Sequence, residues 1–172
     1  LALITIRNGN VHNPKYNKPY AEKIMMCDSG QVSPMHYHEN KREDIINRGG
    51  NDVVFTFYNA DQSKVHRTED GRNIYEKDLV NDVLIYRDGR QYKVKAGEPV
   101  RIHNGESITL VPFQYHEFII PEGGPALIGE VSMVNDDHTD NFFYEPLGRF
   151  PTIEEDEPAY RLLCTEYPAA KD

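Results

Sequence analysis

The apolar residues of this chain come in short runs, and each run is closed by a turn signal. The stretches "AEKIMMC" (21–27), "DVVFTFYN" (52–59), "DVLIYR" (82–87), "QYKVK" (91–95), "PVRIH" (99–103), "SITLVP" (107–112), "HEFII" (116–120) and "ALIGEVSM" (126–133) are rich in Val, Ile, Tyr and Phe. β-Branched and aromatic side chains lose freedom in a helix and pack well on a pleated, half-buried surface. Between the runs stand "DSGQ", "NRGG", "RDGR", "AGE", "HNGE" and "PEGG". Gly and Asn accept the positive φ that tight turns between strands require. Many short strands at this spacing predict an all-β sandwich or barrel. Residues 60–81 are polar and aperiodic, which predicts a long excursion between strands. The tail "IEEDEPAYRLLCTEYPAAKD" has room for one short helical turn or a last strand, and its acidic run at 154–157 reads as a solvated face.

The length of 172 residues predicts a single domain over 1–172, large enough to bury a core without disulfides. The chain opens at Leu1 in strand-like text with no initiating Met, so a further N-terminal segment is expected ahead of it. Only Cys27 and Cys164 are present, with no CxxC pair, which points to a reducing cytoplasm. A formal charge of −9 argues against nucleic acid or an anionic membrane as partner. No apolar run approaches the roughly 20 residues that span a bilayer.

One polar constellation stands out. Alternation along a strand puts His36 and His38 on the same face, where two imidazoles can grip one ion. Gly30, His36, His38, Glu43 and Gly50 are spaced G-x5-H-x-H-x4-E-x6-G, which resembles the first motif of the cupin superfamily in full. The second cupin motif is similar to "GESITLVPFQYH", where Gly105 and His116 keep the expected separation. Its interior departs from the pattern: Val111 replaces the usual Pro, Phe113 the second Gly and Ile120 the Asn, which puts the tight turn before His116 in question. The resemblance implies a double-stranded β-helix, the cupin jelly-roll barrel, with His36, His38, Glu43 and His116 as metal ligands. Three imidazoles and a carboxylate leave two positions open on an octahedral ion, which suits Mn²⁺, Fe²⁺, Co²⁺ or Ni²⁺ better than structural zinc. No organic cofactor is expected. His12, His66, His103 and His138 lack paired spacing and read as structural or surface residues.

Longer words carry a narrower resemblance. "YAEKIM" (20–25), "HYHENKREDIINRGG" (36–50), "GEVSMVNDD" (129–137) and "EDEPAYRLLCTEY" (155–167) are similar to the D-lyxose isomerase family of cupin enzymes. That resemblance implies an aldose–ketose isomerase using Mn²⁺, interconverting D-lyxose and D-xylulose and also D-mannose and D-fructose, with a free sugar as its partner. A homodimer is the expectation for a cupin of this size, since dimerising buries strand edges.

Such an isomerisation needs a base near C1 and C2. Glu130 lies in the otherwise apolar run 126–133, where a carboxylate faces either solvent or a polar cavity. That run follows the His116 run across "PEGG", which predicts a neighbouring strand and makes Glu130 the candidate base. Lys23, alone in "AEKIMMC", is the candidate partner for a sugar hydroxyl or the developing oxyanion. Glu43 is expected to touch substrate as well as metal. Among Asn135, Asp136, Asp137, Asp140 and Asn141, Asp140 is the leading candidate for a sugar contact. Arg42, Arg48 and Arg149 are more consistent with surface or structural ion pairs. The absence of a P-loop or an Arg cluster favours a free sugar over a sugar phosphate. The alternatives are a cupin sugar-phosphate isomerase, a metal-dependent dioxygenase and a non-catalytic sugar-binding module.

Overall fold

A computed structural model of the chain describes residues 1–11, 13–69, 71–134, 136, 139–147, 154 and 156–162. Its elements are all strands: β1 (Ala2–Arg7), β2 (Tyr20–Cys27), β3 (Val32–Tyr37), β4 (Glu43–Gly50), β5 (Val53–Arg67), β6 (Asn73–Asp78), β7 (Val83–Arg87), β8 (Arg90–Val94), β9 (Val100–Ile102), β10 (Ser107–Leu110), β11 (Gln114–Ile119), β12 (Ala126–Met133) and β13 (Phe142–Phe143). No helix among the described residues is long and apolar enough to cross a membrane.

The strands form two antiparallel sheets. One runs β1-β2-β12-β4-β10-β7-β8; the other runs β13-β3-β11-β5-β6, with β9 also pairing with β5. Alternation decides which residues each sheet buries. In β2, Ala21, Lys23, Met25 and Cys27 point inward; in β4, Glu43, Ile45 and Asn47 do; in β12, Ala126, Ile128, Glu130 and Ser132 do. The main core lies between the sheets, where Met25, Ile45 and Ile128 of the first meet Phe55, Phe57 and Phe118 of the second. Each fully buried side chain of this size contributes about 1.5–3 kcal/mol. At one end of the same layer the inward positions turn polar, and there Lys23, Glu43 and Glu130 are buried with the core. A second, aromatic cluster around Tyr37, Ile74 and Tyr115 sits apart from that core.

All eight stretches expected as strands carry one, and the all-β cupin architecture is the one observed. Three expectations need correction. Residues 60–81 are not an open excursion: β5 continues to Arg67 and returns as β6, paired from Asn59↔Asp78 to Arg67↔Asn73. The hairpin is polar because much of it is partly exposed. It is held by local contacts such as His66 stacked on Tyr144 and Lys77 Nζ 3.8 Å above the Tyr144 ring.

The second correction concerns β12, which does not neighbour β11. Both edges of β11 are already taken by β3 and β5, so the chain crosses to the other sheet and β12 fills the gap between β2 and β4. The third concerns the turn before His116. It forms despite the lost glycine, with Phe113 itself at φ 59. A non-Gly residue there costs on the order of 1–3 kcal/mol. The turn is held by Phe113 N–H donating to the His38 carbonyl at 2.8 Å, and the ring stacks on Tyr37.

Gly50, the last residue of the first motif, shows why that position is glycine. It has φ +89, and a Cβ there would stand 2.3 Å from the Pro125 carbonyl oxygen. His12, Asn135, Asp137, His138, Arg149, Cys164 and most of the tail expected to hold a turn or strand lie outside the described residues.

Candidate active site

Pairing of β3 with β11 sets His36 directly opposite His116. His38 follows one residue after β3 ends, and its ring is buried. Glu43 opens β4 in the facing sheet. One donor atom from each of these four residues lies within 4.8 Å of all the others. The sequence spacing and the fold therefore bring together the same four side chains.

The tautomers follow from hydrogen bonding. His36 Nδ1 contacts the Pro34 carbonyl at 2.7 Å, His38 Nδ1 the Asp140 carbonyl at 2.5 Å and His116 Nδ1 the Gln114 carbonyl at 2.9 Å. A carbonyl only accepts, so each Nδ1 carries a proton, and in the neutral ring each Nε2 presents a lone pair. His36 and His116 are held neutral: burial pushes both imidazoles below their usual range, and the neighbouring histidines add to the effect.

The Nε2 atoms of His36 and His116 face each other at 3.2 Å. Glu43 Oε1 stands 3.3 Å from His38 Nε2 and 3.5 Å from His116 Nε2. His38 Nε2 is buried and has no hydrogen-bond partner. Lone pairs converging on one another repel unless a cation lies among them. Ligands about 2 Å from one ion lie roughly 3–4 Å apart, so the donor set fits a divalent metal.

The carboxylate of Glu43 is divided between two tasks. Oε1 faces the histidines, and Oε2 takes the Lys41 ammonium at 2.7 Å. Burial opposes ionisation of Glu43, but the Lys41 charge together with the contacts to His116 and His38 outweighs it and holds the carboxyl well below the usual range. Lys23, opposite Glu130 in the β2–β12 register, donates to Glu130 Oε1 at 2.7 Å, and Lys41 Nζ lies 3.7 Å from the same oxygen. Lys23, Glu130, Lys41 and Glu43 thus form a buried chain of alternating charge. A lone buried ion costs several kcal/mol, and this alternation offsets it.

These groups line a cavity of about 360 Å³. Lys23, His36, Lys41, Glu43, His116 and Glu130 form its polar wall; Met25, Ile45, Leu110 and Phe118 join it to the core; Leu1, Leu3, Val32 and Pro34 also line it. Glu130 reaches this space from the sheet facing β11 rather than from a neighbouring strand.

Asp140 departs from its expected place. Its carboxylate is not on the cavity wall and is occupied by backbone N–H groups of residues 39–41, whereas Asn141 beside it does line the cavity. Sequence reasoning missed Lys41. The available signal was strand parity: Lys41, Glu43 and Ile45 alternate inward, while Arg42 is exposed. Arg48 lies over Gly129 and does not line the cavity. His66 and His103 sit elsewhere, beside Glu76 and Asp52.

The family model for D-lyxose isomerase matches residues 1–167. The D-lyxose/D-mannose isomerase of Escherichia coli O157:H7 is 46% identical over 168 residues, covering 97% of this chain and 69% of that protein. The protein of the same name from Serratia proteamaculans is 48% identical, covering 97% and 68%. Among solved structures, L-ribose isomerase from Cellulomonas parahominis superposes with a TM-score of 0.53 at 15% identity, over 83% of this chain and 68% of that one. The Acinetobacter sp. DL28 L-ribose isomerase gives 0.53 at 16%, over 82% and 68%. At such identities the likeness speaks for the shared fold. The family match over nearly the whole chain carries more: the chain belongs to the D-lyxose isomerase family and is a sugar aldose–ketose isomerase.

Proposed function

We propose that the chain interconverts D-lyxose and D-xylulose, and D-mannose and D-fructose, with Mn²⁺ held by His36, His38, Glu43 and His116. The observation that carries this reading is the convergence of three Nε2 lone pairs and Glu43 Oε1 beside a cavity walled by Glu130 and two lysines. Bound there, a divalent ion would supply Lewis acidity toward the sugar oxygens and the negative charge that develops on them.

The protein's own groups do the rest. Glu130, as a carboxylate, takes a proton from one of C1 and C2 and returns it to the other. Lys23 fixes Glu130 Oε1 from one side and Lys41 flanks it from the other, so the base is oriented before substrate arrives. Lys41 also stands over Glu43 Oε2, where its ammonium can hold the sugar oxygen on which charge develops. Lys23 and Glu43 line the cavity and are placed to accept or donate hydrogen bonds to sugar hydroxyls. The apolar residues beside them exclude water from the reacting carbons.

A free sugar suits this wall better than a sugar phosphate. Both lysines already face carboxylates, and no arginine lines the cavity among the described residues. The test is D-xylulose formation from D-lyxose with metal stripped by chelation and then restored as Mn²⁺. Turnover that disappears and returns with Mn²⁺ is the expected result. No turnover in folded, Mn²⁺-loaded protein refutes the proposed substrate.

A further inference from the structure

We propose that Asp140 is a positioning residue that sets the loop running from the metal ligand His38 to the metal ligand Glu43, and that it acts on metal affinity rather than by touching sugar. The proposal rests on the metal reading above. The loop 38–42 joins β3 in one sheet to β4 in the other, so the N–H groups of residues 39–41 have no strand to pair with. All three turn to one side and converge on a single carboxylate. Asp140 Oδ1 accepts from Glu39 N–H at 2.7 Å and Asn40 N–H at 3.1 Å; Oδ2 accepts from Lys41 N–H at 2.8 Å and Asn40 N–H at 3.3 Å. Successive N–H groups arranged this way form an anion-binding concavity, and here the anion is part of the chain.

The backbone of the same residue completes the clamp, since the Asp140 carbonyl accepts from His38 Nδ1. Asp140 therefore governs His38 twice, through its ring and through the loop that follows it. The same loop leads to Lys41 and then Glu43, so three site residues in six positions of sequence depend on one anchor more than ninety residues away. Asp140 is itself buried, at 7% exposure. Partners that orient metal-binding imidazoles tune affinity without meeting the ion or the substrate.

Asp140→Asn tests this sharply. The amide keeps one accepting oxygen and turns an NH₂ group toward N–H donors, so the clamp loosens with no change in volume. Asp140→Glu keeps both oxygens displaced by one methylene, and it carries the test should the Asn variant not fold. Mn²⁺ binding to stripped protein is measured by titration calorimetry, alongside the apo melting temperature and D-lyxose kinetics at saturating Mn²⁺. The expected result is an Mn²⁺ Kd raised about 10–100-fold in Asp140→Asn, a smaller rise in Asp140→Glu, and an unchanged D-lyxose KM once metal is saturating.

An unchanged Kd with a raised sugar KM would overturn the proposal in favour of direct substrate contact. A lowered melting temperature with Kd and kinetics unchanged would reduce Asp140 to a structural role. Failure of the parent protein to bind Mn²⁺ would refute the metal reading itself, and this proposal with it.

Discussion

Replacing Glu130 with Gln removes one negative charge and almost no volume from the buried chain Lys23–Glu130–Lys41–Glu43. Two lysines against two glutamates is a neutral set; the variant leaves two lysines against one. Removing one partner of a buried ion pair costs about 3–5 kcal/mol. Gln still accepts from Lys23 and Lys41 keeps Glu43, so the lower end, about 3 kcal/mol, applies here. For a domain of this size that corresponds to a melting temperature about 6–12 °C lower.

The effect on catalysis is separate. A positioned base contributes about 10²–10⁴ in rate, or about 3–5 kcal/mol of barrier. The assay is D-lyxose turnover at saturating Mn²⁺, well below the variant's melting temperature, repeated in deuterated water. The parent protein should place solvent deuterium on the transferred carbon, and the variant should lose at least about a hundredfold in kcat with metal still bound. Two results would refute the reasoning. Turnover within about tenfold of the parent would remove Glu130 as base, since that lies below the range for such catalysis. Complete retention of the substrate hydrogen by the parent would favour a hydride shift over proton transfer through Glu130.

Three further outcomes are expected. His116→Ala should abolish tight Mn²⁺ binding measured by calorimetry, and full occupancy in that variant would break the four-donor assignment. Lys41→Met should bind Mn²⁺ at least as tightly as the parent, because a positive charge leaves the site, yet lose about tenfold or more in kcat/KM; weaker metal binding would contradict the role given to Lys41. In metal-free protein, stability should fall on acidification. His36 and His116 have folded pKa values below the ordinary 6.5, so their contribution is complete above about that pH and is lost as pH falls toward the folded values. Glu43, lowered from 4.5, adds a loss of the same sign at more acidic pH. Melting curves between pH 8 and pH 4, bracketing the unperturbed histidine and glutamate values, would show a flat profile if those shifts were absent.

Much of this site was legible before any coordinates because its signals are local. The run 126–133 is mostly apolar and follows a turn signal, and β12 occupies those same residues. The His36, His38 and Glu43 spacing survives as geometry because a strand end, a short loop and a strand start leave little freedom. A carboxylate inside an apolar run marked Glu130.

What stayed hidden depends on partners distant in sequence or on backbone groups. Lys41 sits among Glu39, Asn40 and Arg42, and nothing in composition separates it from them. Asp140 resembled a sugar-binding residue because its loop is crowded with Asp and Asn, and its actual acceptors' partners are main-chain N–H groups that no sequence displays. The β5–β6 hairpin escaped because Ile74 is the one buried residue among 60–67 and 73–78, so no period-two alternation marks it. The sheet membership of β12 was misjudged because adjacency in sequence was read as adjacency in the sheet.

The imidazoles ride on one sheet and its loop, and Glu43 rides on the other. The gap between the sheets therefore works as a caliper for whatever ion lies in it. Its jaws are set by side chains outside the donor set, Ile45 and Phe118 among them. Divalent metals differ in preferred ligand distance and geometry. Ion preference in this fold is thus partly a property of hydrocarbon packing, and trimming Ile45 to Val should shift the Mn²⁺-to-Zn²⁺ affinity ratio while every ligand stays in place.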